Sequence, residues 1–185
     1  MADNLYFSRD TKIFVGVSKI KRIQLTETLV TGQSGIGGSG YTSAPAITFS
    51  GGGGLVGTID DYMRFCEMFR QGGVLGETRI LSPLTVEFMS RNHLSGDIAD
   101  MGPSSFAEQP MEGMGFGLGG SVLRNPGRVC CPGSVGDFSW GGMASTFFWI
   151  DPVLDMSVVF FTQLSPSSSY PARAQLKGII HGALI

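Results

Sequence analysis

Four short stretches of this chain carry residue types at spacings that could do chemistry. Ser18-Lys19-Ile20-Lys21 sets a lysine three positions after a serine. On a helix the two stand one turn apart, where a neutral amine can take the hydroxyl proton and raise a nucleophile. Gly35-Ile36-Gly37-Gly38-Ser39-Gly40 fits the G-x-G-x-x-G spacing that brings a main chain against a pyrophosphate, and Gly51 to Gly54 form a second glycine run. The fourth stretch is Trp140-Gly141-Gly142, within residues 136–152. It reads as a turn feeding a strand with a small-residue opening at its start, the form of one wall of an active site.

Context decides among them. Residues 22–30, after the serine–lysine spacing, alternate as a strand does, with Thr26, Thr28 and Val30 β-branched. The spacing is therefore read as a solvated basic segment; a catalytic pair would need a helix over 18–30. The G-x-G-x-x-G match lacks a helix start behind it, because residues 41–45 end in proline, so a loop is expected there. Gly51 to Gly54 are not followed by the Lys-Ser/Thr of a phosphate loop. No G-x-S-x-G elbow occurs in the sequence, and His93 and His181 have no evident acid or nucleophile partner, so both are read as structural.

Composition narrows the function classes. A chain of 185 residues with 42% hydrophobic residues can build a core of its own. A formal charge of -2 and a pI near 5.6, with only residues 12–22 locally basic, argue against nucleic acid as a partner. No apolar run reaches the ~18 residues that cross a bilayer, so no membrane role is expected. Three cysteines, two of them adjacent, have no metal-ligand spacing. No metal and no cofactor is expected, and the free thiols favour a reducing, cytoplasmic compartment without fixing it.

The elements that must position the wall follow from periodicity. The 28 glycines gather at 32–40, 51–54, 113–120 and 141–142, as punctuation between ordered segments. A helix is predicted over 58–71, with Ile59, Tyr62, Met63, Cys66 and Phe69 on one face, Thr58 as its cap and Gly72-Gly73 as its stop. A second helix opens at Ser82-Pro83. Residues 115–123, 140–150 and 157–162 read as strands, the last buried and paired with its predecessor through a turn at Asp151-Pro152. A closing helix over 171–184 carries Leu176, Ile179, Ile180 and Ala183 as a stripe laid on the sheet.

Four of these stretches carry a resemblance. Residues 50–62 (Ser50-Gly51-Gly52-Gly53-Gly54-Leu55-Val56-Gly57-Thr58-Ile59-Asp60-Asp61-Tyr62), Leu81-Ser82-Pro83-Leu84-Thr85-Val86, Gly113-Met114-Gly115-Phe116-Gly117-Leu118-Gly119, and Trp140-Gly141-Gly142 with Trp149-Ile150-Asp151-Pro152 resemble, in order and spacing, the C-terminal half of the serine β-lactamase-like hydrolases. That family includes class C β-lactamases, D-alanyl-D-alanine peptidases and related esterases, and the match runs over roughly residues 45–165, nearest to the esterase-like branch with W-G-G.

The resemblance implies an α/β (α+β) chain: the C-terminal part of the β-lactamase/transpeptidase-like fold, an incomplete antiparallel sheet flanked by helices. Residues 1–50 would be an irregular connecting segment and 51–185 the domain. Trp140, Gly141 and Gly142 stand where the family has K-T-G or H-T-G and would line the substrate. The backbone N–H of Met143 would be an oxyanion-hole donor, a group worth on the order of 3 kcal/mol in such sites. With Trp140 in place of the family's cation, an uncharged small-molecule ester or amide is the implied substrate. The family's nucleophilic Ser-x-x-Lys and its Tyr motif precede the matched region, and Ser18 to Lys21 falls after them. A C-terminal half of an acyl-enzyme hydrolase, inactive alone, is the expectation; a non-catalytic binding or interaction module of the same fold is the alternative. Missing outer strands would leave the 157–162 strand as an open edge, implying a partner chain or self-association.

Overall fold

In the computed structural model, residues 12–17, 57–102, 105–106, 109–142, 144–162, 164, 167 and 169–184 are described. Ten strands, four α-helices and a 3-10 turn at Ile98–Asp100 occur among them.

The central strands explain the architecture. β9 (Phe147–Asp151) and β10 (Met156–Phe161) are almost continuously apolar and buried, so each must be covered on both faces. Their side chains alternate accordingly: Phe148, Ile150 and Val159 face one helical layer, while Phe147, Trp149, Met156, Val158 and Phe160 face another. The first layer is α1 (Ile59–Arg70) with α2 (Pro83–Met89); the second is α4 (Ala172–Gly182).

Both expected N-terminal caps are present. The Asp61 N–H donates to Thr58 Oγ1 (3.2 Å), and the Thr85 N–H donates to Ser82 Oγ (3.1 Å) with Pro83 in the first turn. Each such cap contributes about 1 kcal/mol. Arg70 closes α1, held by Glu67 and by Asp155 of the β9–β10 turn.

The sheet is antiparallel with order β1-β10-β9-β8-β7-β6, where β1 is Lys12–Val17, β6 Met114–Phe116, β7 Ser121–Leu123 and β8 Phe138–Gly141. Small two-stranded ribbons pair β2 (Val74–Leu75) with β3 (Thr78–Arg79) and β4 (Ser105–Phe106) with β5 (Gln109–Pro110). A short helix α3 (Pro126–Val129) follows β7. The mixed α/β class and the flanked antiparallel sheet expected from the sequence are what the chain forms, and β9 pairs with β10 through the Asp151-Pro152 turn.

Five expectations need correction. Residues 115–123 are a hairpin, because the chain reverses at 117–120, where the Gly117 N–H donates to the Gly120 carbonyl (2.8 Å) and Gly119 takes φ +93°. Residues 140–150 likewise fold at 142–146 into β8 and β9. Small residues permit that reversal, and a hydrophobic-periodicity reading runs straight through them. Within 1–50, residues 12–17 are a strand, and it pairs along all of β10, from Lys12 opposite Phe161 to Val17 opposite Met156. The edge expected at 157–162 is thus covered, and among the described residues β1 is the outer strand. On α4, Ile179 and Ala183 are exposed; Leu176 is buried with Ala172, Ile180 and Leu184 partly buried against the same cluster, and Lys177 is buried beside it.

Candidate active-site wall

β8 is fixed at its entry by two contacts, one to each helical layer. Phe138 stacks on Phe69 of α1 at 4.7 Å between centroids, a contact worth roughly 1 kcal/mol beyond its buried area. Asp137, immediately before it and fully buried, accepts a hydrogen bond from Lys177 Nζ of α4 (2.5 Å). Lys177 also stands 5.4 Å from the Trp149 ring centroid. Burial pushes the Asp137 carboxyl above the ordinary aspartate range, and the Lys177 ammonium opposes that rise.

From there β8 runs out to the predicted wall. Trp140 lies opposite Phe148 and Gly141 opposite Phe147. The strand then ends in a tight reversal: the Gly142 N–H donates to the Thr146 carbonyl (2.8 Å), and the Ser145 N–H to the Gly142 carbonyl (3.1 Å), with Ser145 at φ +60°. Ser145 Oγ and the Leu164 N–H tie this turn to the chain beyond β10. A side chain at Gly142 would put its Cβ 2.7 Å from Thr146 Oγ1. One at Gly141 would come 2.8 Å from the Thr146 carbonyl oxygen and collide with the Arg173 guanidinium. The structure therefore brings Trp140, Gly141 and Gly142 to one strand end; Met143 lies outside the described residues.

Arg173 was missed from sequence. Its guanidinium packs beside Gly141, donates from Nη1 to Gln109 Oε1 (3.3 Å) and sits 5.2 Å over the Phe147 ring. The signal was available: Arg173, half-buried, and Lys177, buried, are four apart on α4 and flank Leu176, where each cation needs a partner. This wall thus carries a neutral indole in the strand and a cation from the helix behind it.

The indole has a second aromatic neighbour. Phe116 meets Trp140 edge to face, centroids 5.0 Å apart and planes at 80°. The backbone of Phe116 is gripped on both sides by the loop after α2: its N–H donates to Asn92 Oδ1 (2.9 Å), and its carbonyl accepts from the His93 N–H (2.8 Å). The His93 ring bonds the Phe88 carbonyl and the His181 ring the Lys177 carbonyl, both on their own helical segments, in keeping with structural roles.

The remaining sequence candidates fall elsewhere. Ser18 to Lys21, Gly35 to Gly40 and Gly51 to Gly54 lie outside the described residues. Among the described residues no group of His, Cys, Asp and Glu is placed to hold a metal ion. Burial pushes the Tyr62 hydroxyl up to about 12 and raises the Cys66 thiol still further from its ordinary value, so both stay protonated at neutral pH. A polar cavity of about 330 Å³ opens beside Arg124 and Arg128, at the end of β7 remote from Trp140. Both arginines close on Asp97, whose Oδ2 also accepts the Gly113 N–H, so this crevice is held by its own charges.

Comparison with known proteins agrees with this fold. The β-lactamase family model matches residues 9–181, and the chain belongs to that family. Protein Rv1367c of Mycobacterium tuberculosis (strain ATCC 25618 / H37Rv) is 36% identical over 131 residues, which are 69% of this chain and 32% of that protein. Esterase EstB of Burkholderia gladioli is 30% identical over 114 residues, 61% of this chain and 25% of the esterase. Among solved structures, EstCE1, a hydrolase with promiscuous acyltransferase activity, superimposes with a TM-score of 0.54 at 27% identity, covering 68% of this chain and 30% of EstCE1. The matched stretch thus spans between a quarter and a third of the length of these curated relatives.

Proposed function

We propose that this chain is the substrate-lining, C-terminal part of a serine hydrolase that works through an acyl-enzyme. Trp140, Gly141 and Gly142 form the wall against which an uncharged ester or amide lies, and the Met143 N–H donates to the oxyanion. The nucleophile, its lysine and the tyrosine of the mechanism are supplied from outside these 185 residues, so the chain alone does not turn over. The observation that carries this reading is the end of β8, where two consecutive glycines follow an aromatic residue in a strand anchored to both helical layers. Glycine there leaves main-chain groups approachable by a substrate, and a fixed strand presents them without reorganisation when charge develops.

The full length of the esterase and hydrolase relatives favours the same reading, since this chain spans the smaller part of each. The outer β1 strand and the exposed Ile80, Leu84 and Phe88 suit a chain that packs against a partner or a second copy. The test is amide-resolved NMR during titration with ethyl butyrate. The reading expects the largest shifts at Trp140 through Met143; shifts that spare that strand end while appearing elsewhere would sink it.

A further inference from the structure

We propose that Phe116 is a specificity-determining residue: with Trp140 it forms a two-ring wall that takes the apolar part of an uncharged ester and disfavours the corresponding carboxylate. This rests on the reading of the β8 end as the substrate wall and adds to it a residue from a different hairpin.

The geometry assigns the role. Phe116 and Trp140 are both only partly buried, so the pair keeps some apolar surface exposed while Trp140 packs on the core cluster beneath α1. An edge-to-face contact at this distance fixes the indole plane without covering it, which an aliphatic neighbour would do less selectively. Phe116 is held more firmly than a hairpin alone would hold it. Asn92 Oδ1 accepts from both the Phe116 and Leu94 N–H groups, and Asn92 Nδ2 donates to the Leu94 and Gly96 carbonyls (3.1 Å each).

The glycines on either side make that grip possible. A Cβ at Gly115 would lie 2.5 Å from Asn92 Cγ, and one at Gly117 would strike the Met89 carbonyl oxygen. The run Gly115-Phe116-Gly117 is therefore a large ring set between two positions stripped of side chains so that the α2 loop can clamp it. The wall so made is mainly aromatic on the Trp140 side, with the Arg173 guanidinium beside Gly141. Neither ring carries a charge and Phe116 offers no donor, so a carboxylate laid there would lose hydration with at most the single indole N–H in return, whereas an ester or its alkyl chain loses little.

The experiment uses the chain itself and its two tryptophans. Trp149 is fully buried, so acrylamide quenching reports Trp140. Protection from quenching is measured against ethyl hexanoate and, separately, sodium hexanoate, for the native chain and for Phe116→Ala, with Phe116→Leu as the variant that keeps volume and removes the ring edge. Circular dichroism checks the fold of each. The proposal expects ester protection in the native chain, weaker protection by hexanoate, and at least a threefold fall in the ester-to-carboxylate preference in a folded Phe116 variant. An unchanged preference in a folded variant overturns the role of Phe116 and leaves the β8 wall standing. Absence of ester protection in the native chain overturns the wall reading itself, and the proposal with it.

Discussion

Replacing Lys177 with methionine should destabilise the chain strongly at neutral pH and little in acid. The substitution keeps a similar apolar stem beneath α4 but leaves Asp137, which is fully buried, without its ammonium partner. Its second oxygen, Oδ1, already has no hydrogen-bond partner. Removing one partner of a buried pair typically costs about 3–5 kcal/mol.

An independent bound comes from proton linkage. Stripped of Lys177, Asp137 can escape burial of its charge by binding a proton. Doing so at pH 7 costs about 1.4 kcal/mol for each of the roughly three pH units above an ordinary aspartate value near 3.9, or about 4 kcal/mol. The sign follows from the raised carboxyl. Burial already lifts Asp137 in the native chain, so its contribution to stability is full below the unfolded value and falls as pH rises toward the folded one. Loss of Lys177 removes the influence that lowers it and carries that decline to higher pH.

The variant should therefore melt about 8–16 °C below the native chain at pH 7, at roughly 2–4 °C per kcal/mol for a chain of this size. At pH 4 the linkage cost shrinks to under about 1 kcal/mol. What remains at low pH is the lost cation–π contact with Trp149, worth about 1 kcal/mol and independent of pH in this range. Thermal melts followed by circular dichroism at pH 4, 5.5 and 7 provide the assay. A deficit equal at pH 4 and pH 7 would refute the reasoning, as would a Lys177→Met, Asp137→Asn double variant that keeps the pH-dependent loss.

Two further outcomes are expected. Gly141→Ala should lower stability by about 1–3 kcal/mol, because the new methyl meets the Thr146 carbonyl and the Arg173 guanidinium, and denaturant melts would show it; a neutral effect would mean the strand end yields freely. Of the three thiols, Cys130 is exposed while Cys66 and Cys131 are buried and raised by burial. Iodoacetamide at pH 8 should therefore label Cys130 first and Cys66 only on unfolding, as read by peptide mass spectrometry.

Much of the fold was legible because burial leaves a period. Ile59, Cys66 and Phe69 mark the inner face of α1, and the unbroken apolar runs of β9 and β10 mark strands covered on both sides. The two hairpins were read as single strands because their reversals use glycine and small residues, which interrupt the direction of the chain without interrupting its apolar count. β1 could not be read, since six residues near a basic stretch gain their meaning only from β10, more than 130 positions away in the sequence.

At the site, Trp140, Gly141 and Gly142 were legible as a sequence-local motif. Arg173, Lys177 and Phe116 were not, because each acts through a partner distant in sequence: Gly141, Asp137 and Trp140 respectively. Cations four apart beside an apolar helix stripe and a lone ring between glycines are the signals that would have found them.

The central proposal is that this chain lines an acyl-enzyme site whose nucleophile is supplied from elsewhere. Its most direct test is p-nitrophenyl acetate hydrolysis by the purified chain, followed by fluorophosphonate labelling and mass-spectrometric mapping of any adduct. The account predicts hydrolysis no faster than buffer and no labelled serine. Turnover with an adduct on Ser18 would contradict it and make this chain a self-sufficient hydrolase.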